Sequence, residues 1–143
     1  MEIRIAEEQD LPEVAKLELC FAFPLSLQDL QKLHQDPLFS ILIFCDSSQI
    51  LGHCVLYQVC DEAQITSFAI RKDRRREGIG TAFLQQLLRQ LKQNGSKVAY
   101  LEVRESNQAA RELYRKNGFT ALGRRKNFYD RPTEDGITMA VEL

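Results

Sequence analysis

The sequence predicts a mixed α/β fold of the α+β kind. A central, mostly antiparallel sheet of about seven strands carries about four helices in the order β-α-α-β-β-β-α-β-α-β-β. Three observations predict it. Runs rich in β-branched and aromatic residues with period-two alternation are interleaved with segments of helical spacing. Ser, Asp or Asn precede the helical segments, and Gly or Pro follow them. A strand, crossover helix, strand unit from Gln64 to Arg104 makes one strand pair parallel within an otherwise antiparallel sheet, with a right-handed crossover. At 143 residues the chain fits one domain, residues 1–143, able to bury roughly 68–70% of its unfolded surface.

Each element has a local cause. Glu2 to Ala6 alternates polar and apolar residues like a short strand. Asp10-Leu11-Pro12-Glu13 offers a capping box with proline in the first turn, so a helix is expected to about Cys20. Phe21 to Leu25 breaks the helical pattern. Ser26 and Asp29 supply a second capping box for a helix through about Gln35, which Asp36-Pro37 stops. Leu38 to Cys45 and Ile50 to Cys60 read as a hairpin around the polar turn Asp46-Ser47-Ser48-Gln49. A third strand, Gln64 to Ile70, follows Asp61-Glu62-Ala63 and completes an antiparallel meander.

The second half repeats the logic. A helix beginning near Thr81 carries Phe83, Leu84, Leu87, Leu88 and Leu91 on one stripe, with Gly95 placed for a left-handed cap. Val98 to Arg104 is a strand. Ser106 or Asn107 can cap a helix over Gln108 to Lys116 that Asn117-Gly118 closes. Two strands, about Thr120 to Tyr129 and Gly136 to Leu143, end the chain; Ile137, Met139, Val141 and Leu143 alternate cleanly.

Composition excludes several classes of function. The formal charge is −1, and basic residues are interleaved with acidic ones except around Arg71 to Arg76, so no general nucleic-acid face is expected. The four cysteines, Cys20, Cys45, Cys54 and Cys60, lack Cys-x-x-Cys spacing and sit in apolar contexts. They read as reduced, buried thiols of a cytoplasmic protein with no signal peptide. His34 and His53 stand apart from each other and from any Cys or carboxylate at ligand spacing, so no metal site is expected. The longest apolar runs are too short to span a bilayer, so a soluble protein with no membrane partner is expected.

The chemistry concentrates in Arg75-Arg76-Glu77-Gly78-Ile79-Gly80, between a strand ending at Ile70 and the helix near Thr81. Glycines one residue apart let the backbone pass close to a ligand. Several N–H groups and the positive helix end can then converge on a pyrophosphate, with the arginines adding charge. The run is not a P-loop, because Thr81-Ala82 follows Gly80. Nor is it a dinucleotide fingerprint, because Phe83 stands where a third small residue is needed. Taken alone it also fits a glycine turn beside a solvated basic patch.

Together with this loop, the block Leu101-Glu102-Val103-Arg104-Glu105-Ser106-Asn107, then Ala109-Ala110, Leu113-Tyr114 and Asn117-Gly118-Phe119, resembles the GNAT acetyltransferases over essentially the whole chain. Asp61-Glu62-Ala63, Arg124 to Tyr129 and Glu134-Asp135 are similar to the RimI-type branch, which acetylates the N-terminal alanine of a small-subunit ribosomal protein. Phe23-Pro24-Leu25-Ser26 departs from the Phe-Pro-Trp-Ser common there, in the region that shapes the acceptor groove. Further departures are Phe128-Tyr129 in place of Tyr-Tyr, and Gly136 in place of the alanine that commonly follows Glu-Asp.

The resemblance implies acetyl-CoA as co-substrate and no metal. Its pyrophosphate would rest on N–H groups from Arg76 through Glu77, Gly78, Ile79 and Gly80 to Thr81, with Arg75 beside them. Its pantetheine arm would lie along Phe68-Ala69-Ile70, pairing with the backbone of Phe68 and Ile70, and would meet Asn107. Asn107 equally fits a plain helix cap. Glu102 shares a strand face with Tyr100 and Arg104, opposite Leu101 and Val103. It is the candidate general base, or else the ion-pair partner of an arginine such as Arg104 or of a residue of the last strands. Tyr114 would protonate the departing thiolate by resemblance, and by spacing alone it fits a core tyrosine. A backbone N–H at the strand end, that of Ile70, would stabilise the oxyanion. Tyr129, Glu134 and Asp135 fit the acceptor side or a charged hairpin tip. The acceptor is expected to be a protein N-terminus, with a small amine, a lysine side chain or a non-catalytic acyl-CoA-binding role as alternatives. The chain is expected to act as a monomer or weak dimer.

Overall fold

Seven strands form one sheet in the order β1-β2-β3-β4-β5-β7-β6, and four helices cover its two faces. The computed structural model describes residues 1–143. In chain order the elements are β1 (Glu2–Ile5), α1 (Leu11–Glu18), α2 (Leu27–Gln35), β2 (Phe39–Cys45), β3 (Ile50–Val59) and β4 (Glu62–Ile70). There follow α3 (Ile79–Gln93), β5 (Val98–Arg104), α4 (Gln108–Lys116), β6 (Thr120–Tyr129) and β7 (Glu134–Glu142). This is the order and class the sequence predicts, with short 3-10 turns at Glu8–Asp10 and Lys72–Arg74 in addition. No helix is long and apolar enough to cross a membrane.

Local signals act as expected at most helix ends. Ser26 accepts from the Asp29 N–H while Asp29 accepts from the Ser26 N–H, a complete capping box on α2. Asn107 Oδ1 accepts the Ala110 N–H and caps α4. The start of α1 differs from the sequence reading. Asp10 does not cap it through its side chain; its carboxylate accepts the Glu7 N–H at 2.8 Å and both terminal nitrogens of Arg4, at 2.7 and 3.1 Å. The 3-10 turn so fixed feeds α1, which ends at Glu18, short of the expected Cys20.

Alternation sorts the strands into two apolar faces. Leu42, Phe44, Cys54 and Leu56 meet α3 and α4 through Phe83, Leu84, Leu87 and Tyr114. Ile41, Ile43 and Val55 meet α1 and α2 through Leu11, Val14 and Leu30. Phe83 stacks between Phe44 and Phe68, with centroids 4.9 and 4.8 Å away. Among the cysteines only Cys45 and Cys54 are buried. Cys20 and Cys60 are exposed, because each lies just past the end of its element.

The parallel pair β4 and β5 is short. It is registered from Glu62 with Val98 to Ile65 with Leu101, although β4 runs on to Ile70 and β5 to Arg104. A bulge at Thr66, where the β3 register steps from Leu56↔Ile65 to Val55↔Ser67, bends β4 away at that point. The other neighbour of β5 is β7, antiparallel from Val98↔Glu142 to Arg104↔Gly136. The sheet therefore opens like a V between β4 and β5.

Candidate active site

A cavity of about 560 Å³ occupies this opening, lined by Ile65 to Phe68 on β4 and Leu101 to Arg104 on β5. The Arg71 N–H bonds to the Leu51 carbonyl at 2.8 Å, and this sets the hydrogen-bond phase of the β4 edge. Alternate residues Ser67, Ala69 and Arg71 turn their backbone groups toward β3, so those of Phe68 and Ile70 face the gap that β5 has left. Ala69 adds no donor to the gap; it pairs with His53 and its side chain is buried. Phe68 lines the cavity and Ile70 does not.

At the carboxyl end of β4 the glycine loop enters α3. None of the backbone N–H groups from Arg76 to Thr81 donates a hydrogen bond within the protein; the first helical bond there is Ala82 N–H to Gly78 C=O. Six consecutive donors at a helix N-terminus form a ready anion site. Arg76 and Gly78 both have positive φ, 65° and 78°, which turns successive N–H groups toward one side. The glycines differ in what they do. Gly78 needs its left-handed conformation, whereas a Cβ on Gly80 would point at Leu113 and Ile70, so Gly80 serves the packing of α3 on α4 and β4.

The basic residues divide in two. Arg71 pairs with Asp73 at 3.0 Å and Arg74 with Glu77 at 3.0 Å, while Arg75 and Arg76 have no carboxylate partner. Glu77 thus offers the loop its N–H, its carboxylate being held by Arg74. Arg75 lies beside the Cys20 thiol.

Glu102 and Tyr114 reach the cavity from opposite faces. Glu102 pairs in register with Thr138, whose hydroxyl donates to Glu102 Oε2 at 2.6 Å, on the face of α1 and α2. Of the partners anticipated for Glu102, Arg104 is not the one that meets it; a residue of the last strands is, with Arg125 Nε on β6 standing 3.8 Å from Oε1. Arg104 holds the β6–β7 turn, donating to the carbonyls of Asp130 at 2.7 Å and Pro132 at 2.9 Å, and lies over the Tyr129 ring. Tyr114, on α4, packs against Phe68 and Phe119. Its hydroxyl has no partner within the protein and opens to the cavity. Burial pushes the phenol pKa well above its ordinary value, so Tyr114 stays protonated at neutral pH.

Asn107 lines the cavity while capping α4, its amide nitrogen unpaired, so the two readings of this residue are compatible. Tyr129 also lines the cavity, its pKa pushed up to about 12 by burial and then by the Glu102 charge. Glu134 and Asp135 do not line it. They begin β7; Glu134 accepts the Ser106 N–H at 2.6 Å and pairs with Arg104, and Asp135 accepts the Asn127 N–H at 2.9 Å and pairs with Arg124. Glu18 and Ser67 line the cavity unforeseen. No local signal pointed to them, because Glu18 finds its partner His53 35 positions along the chain.

Comparison with known proteins gives this geometry a family. The acetyltransferase (GNAT) family model matches residues 5–119. The ribosomal protein bS18-alanine N-acetyltransferase of Haemophilus influenzae is 37% identical over 115 residues, 78% of each chain. That of Escherichia coli is 33% identical over 136 residues, 94% of this chain and 90% of the relative. The crystal structure of the ribosomal-protein-S18-alanine N-acetyltransferase from Escherichia coli matches with TM-score 0.90 at 31% identity, over 99% of this chain and 93% of the other. A split parallel pair, a donor-rich loop at the head of α3 and a sequence match over most of the chain agree: the protein belongs to the acetyltransferase (GNAT) family, on the branch of the ribosomal-protein-alanine N-acetyltransferases, and is an acetyl-CoA-dependent N-acetyltransferase.

Proposed function

We propose that this enzyme, acting as one domain in the cytoplasm, acetylates the N-terminal alanine α-amino group of a ribosomal protein, the acceptor named for its relatives from Haemophilus influenzae and Escherichia coli. The observation that carries the reading is the placement of Glu102 and Tyr114 on opposite faces of one opening, beside unpaired backbone donors. The loop from Arg76 to Thr81 would hold the pyrophosphate of acetyl-CoA, with Arg75 and Arg76 as free cations. The open β4 edge would pair with the pantetheine arm as an added strand does, and Asn107 Nδ2 would donate to it.

The acceptor amine then enters from the face of α1 and α2, where Glu102 lies. Attack needs a neutral amine. With a pKa of about 8, an α-amino group costs about 1.4 kcal/mol to deprotonate at pH 7, against about 4.6 kcal/mol for a lysine of pKa about 10.4. A terminal amine is the easier nucleophile by that margin. Glu102 takes the proton, directly or through water, as the new C–N bond forms. Because Phe68 lines the cavity and Ile70 does not, the Phe68 N–H is the better placed donor to the developing oxyanion. Tyr114 gives its proton to the thiolate as the C–S bond breaks. Tyr129 forms part of the acceptor wall.

Acetyl transfer to two short peptides tests this. One begins Ala-Arg with a free terminus; the other is blocked and carries an internal lysine. Acetylation of the free terminus alone, with Glu102→Gln and Tyr114→Phe each slowing it by about 10²–10⁴, is the expected result. Acetylation of the lysine peptide, or of neither, would move the acceptor to a side chain or a small amine.

A further inference from the structure

The segment between α1 and α2 forms one wall of the cavity through Cys20, Phe21, Ala22, Phe23 and Leu25. It has no regular structure of its own. From Ala22 to Leu25 the backbone makes a single hydrogen bond, Leu25 N–H to Glu18 Oε1 at 3.0 Å. Glu18 is the last residue of α1 and only 2% exposed. Its other oxygen, Oε2, accepts from His53 Nε2 at 2.5 Å and from the Ser67 hydroxyl. His53 lies on β3, fully buried, with Nδ1 lacking any partner; Ser67 lies on β4, next to Phe68.

Packing alone does not call for this arrangement. A leucine at the end of α1 would cover the sheet as well, and a buried carboxylate with its donors is seldom more stabilising than apolar residues of the same volume. Burial by itself raises the Glu18 pKa, but the donors His53, Ser67 and the Leu25 N–H together hold it below the usual carboxylate range, so the group is a fixed anion. One carboxylate thus joins the wall of the cavity to two strands of the sheet.

We propose that Glu18 is a positioning residue for the acceptor: it ties the α1–α2 segment to β3 and β4 and so sets the acceptor side of the cavity against the strand edge at Phe68. This rests on the reading that the amine enters from the face of α1 and α2. Neither Glu102, Tyr114 nor the glycine loop touches Glu18 directly, so the effect falls first on acceptor binding.

The test compares Glu18→Gln with the triple variant Glu18→Leu/His53→Leu/Ser67→Ala, using the Ala-Arg peptide and acetyl-CoA. Glutamine keeps an oxygen for the Leu25 N–H, so Glu18→Gln should stay near wild type. The triple variant fills the site with apolar groups and keeps the thermal midpoint, yet should raise the peptide KM about tenfold, the factor carried by one lost hydrogen bond to a charged group, with the acetyl-CoA KM and kcat unchanged. An unchanged peptide KM, or equal rises in both KM values, overturns the proposal. Amide hydrogen exchange at Leu25 is read in the same proteins and in Ser67→Ala. Faster exchange in the triple variant, or in Ser67→Ala should the triple variant not fold, is expected; unaltered exchange overturns the tether whichever acceptor is used. If the wild-type enzyme does not acetylate the peptide while Leu25 exchange still responds, the assigned acceptor fails and the tether stands.

Discussion

Replacing Gly78 by alanine separates a conformational demand from a steric one. Gly78 has φ 78°, and a Cβ placed on it meets nothing within 4 Å; Gly80 sits in the first turn of α3, where a Cβ would lie 3.4 Å from Leu113 Cδ2. The left-handed conformation costs an L-residue about 1–2 kcal/mol, so Gly78→Ala should destabilise by about that amount. Gly80→Ala trades a tight but tolerable contact for up to about 1 kcal/mol of helix propensity and should be neutral or mildly stabilising. A gap of about 2 kcal/mol corresponds to roughly 5–8 °C in thermal midpoint for a chain of this size, measurable by circular dichroism. Where alanine relaxes the loop instead of bearing the strain, the N–H groups from Arg76 to Thr81 lose their common direction. Acetyl-CoA affinity by calorimetry should then fall about 5–30-fold. Gly78→Asn, which tolerates the left-handed region, should recover most of the loss. If Gly80→Ala weakened acetyl-CoA binding more than Gly78→Ala, or if Ala and Asn at position 78 behaved alike, the conformational reasoning would be refuted.

Other consequences follow from the same contacts. Asp10 is held below the usual carboxylate range by the Arg4 hydrogen bonds, against the opposing effect of burial, with the Glu7 N–H adding to Arg4. A depressed folded pKa means stability that is complete above the unfolded value of about 3.9 and is lost as pH falls through the folded one. Asp10→Asn should therefore cost about 1–3 kcal/mol in urea unfolding at pH 7, toward the low end because Arg4 is half-exposed, and the difference should shrink as pH falls below about 3.9 and on through the folded pKa of Asp10. Phe83→Ala, removing a fully buried ring stacked on Phe44 and Phe68, should cost about 3–5 kcal/mol, and Phe83→Leu much less. With its pKa near 12, Tyr129 should contribute no tyrosinate absorbance below about pH 10.5; Tyr129→Phe leaves that part of the titration unchanged, and Glu102→Gln, by removing a negative charge, lowers the Tyr129 pKa.

Elements with a cause within a few residues could be read directly from the chain. The Ser26–Asp29 box, the Asp46 turn, the stripe of α3 and the period-two alternation of β7 act over short distances, so the sequence carries them whole. The glycine loop belongs with these: Gly78 demands positive φ, and the helix that follows supplies the donors. Alternation likewise placed Glu102 on the face opposite Leu101 and Val103, as the burial of β5 reflects.

What depends on which strands meet could be decided only in three dimensions. Alternation says which side of a strand is apolar but not which strand lies beside it, so the insertion of β7 between β5 and β6, and the Glu102–Thr138 pairing that follows, came from the fold. The same holds for the opening itself. The β3–β4 register step at Thr66 and the early parting of β4 from β5 bare the backbone of Phe68 and Ile70, and no residue type announces either event. Long-range pairing also redirected charges: Arg104 went to the β6–β7 turn, Glu134 and Asp135 to the strand ends, and Glu18 to His53 beneath the segment between α1 and α2. The sequence alone determined the elements and the turn of the glycine loop, because their geometry is local or periodic, and its family resemblance singled out Glu102 and Tyr114 as candidates; the tertiary structure decided the gap, the partners of the charges and the contact of Glu18 with Leu25, because a buried charge is placed by whatever donor the folded chain brings to it.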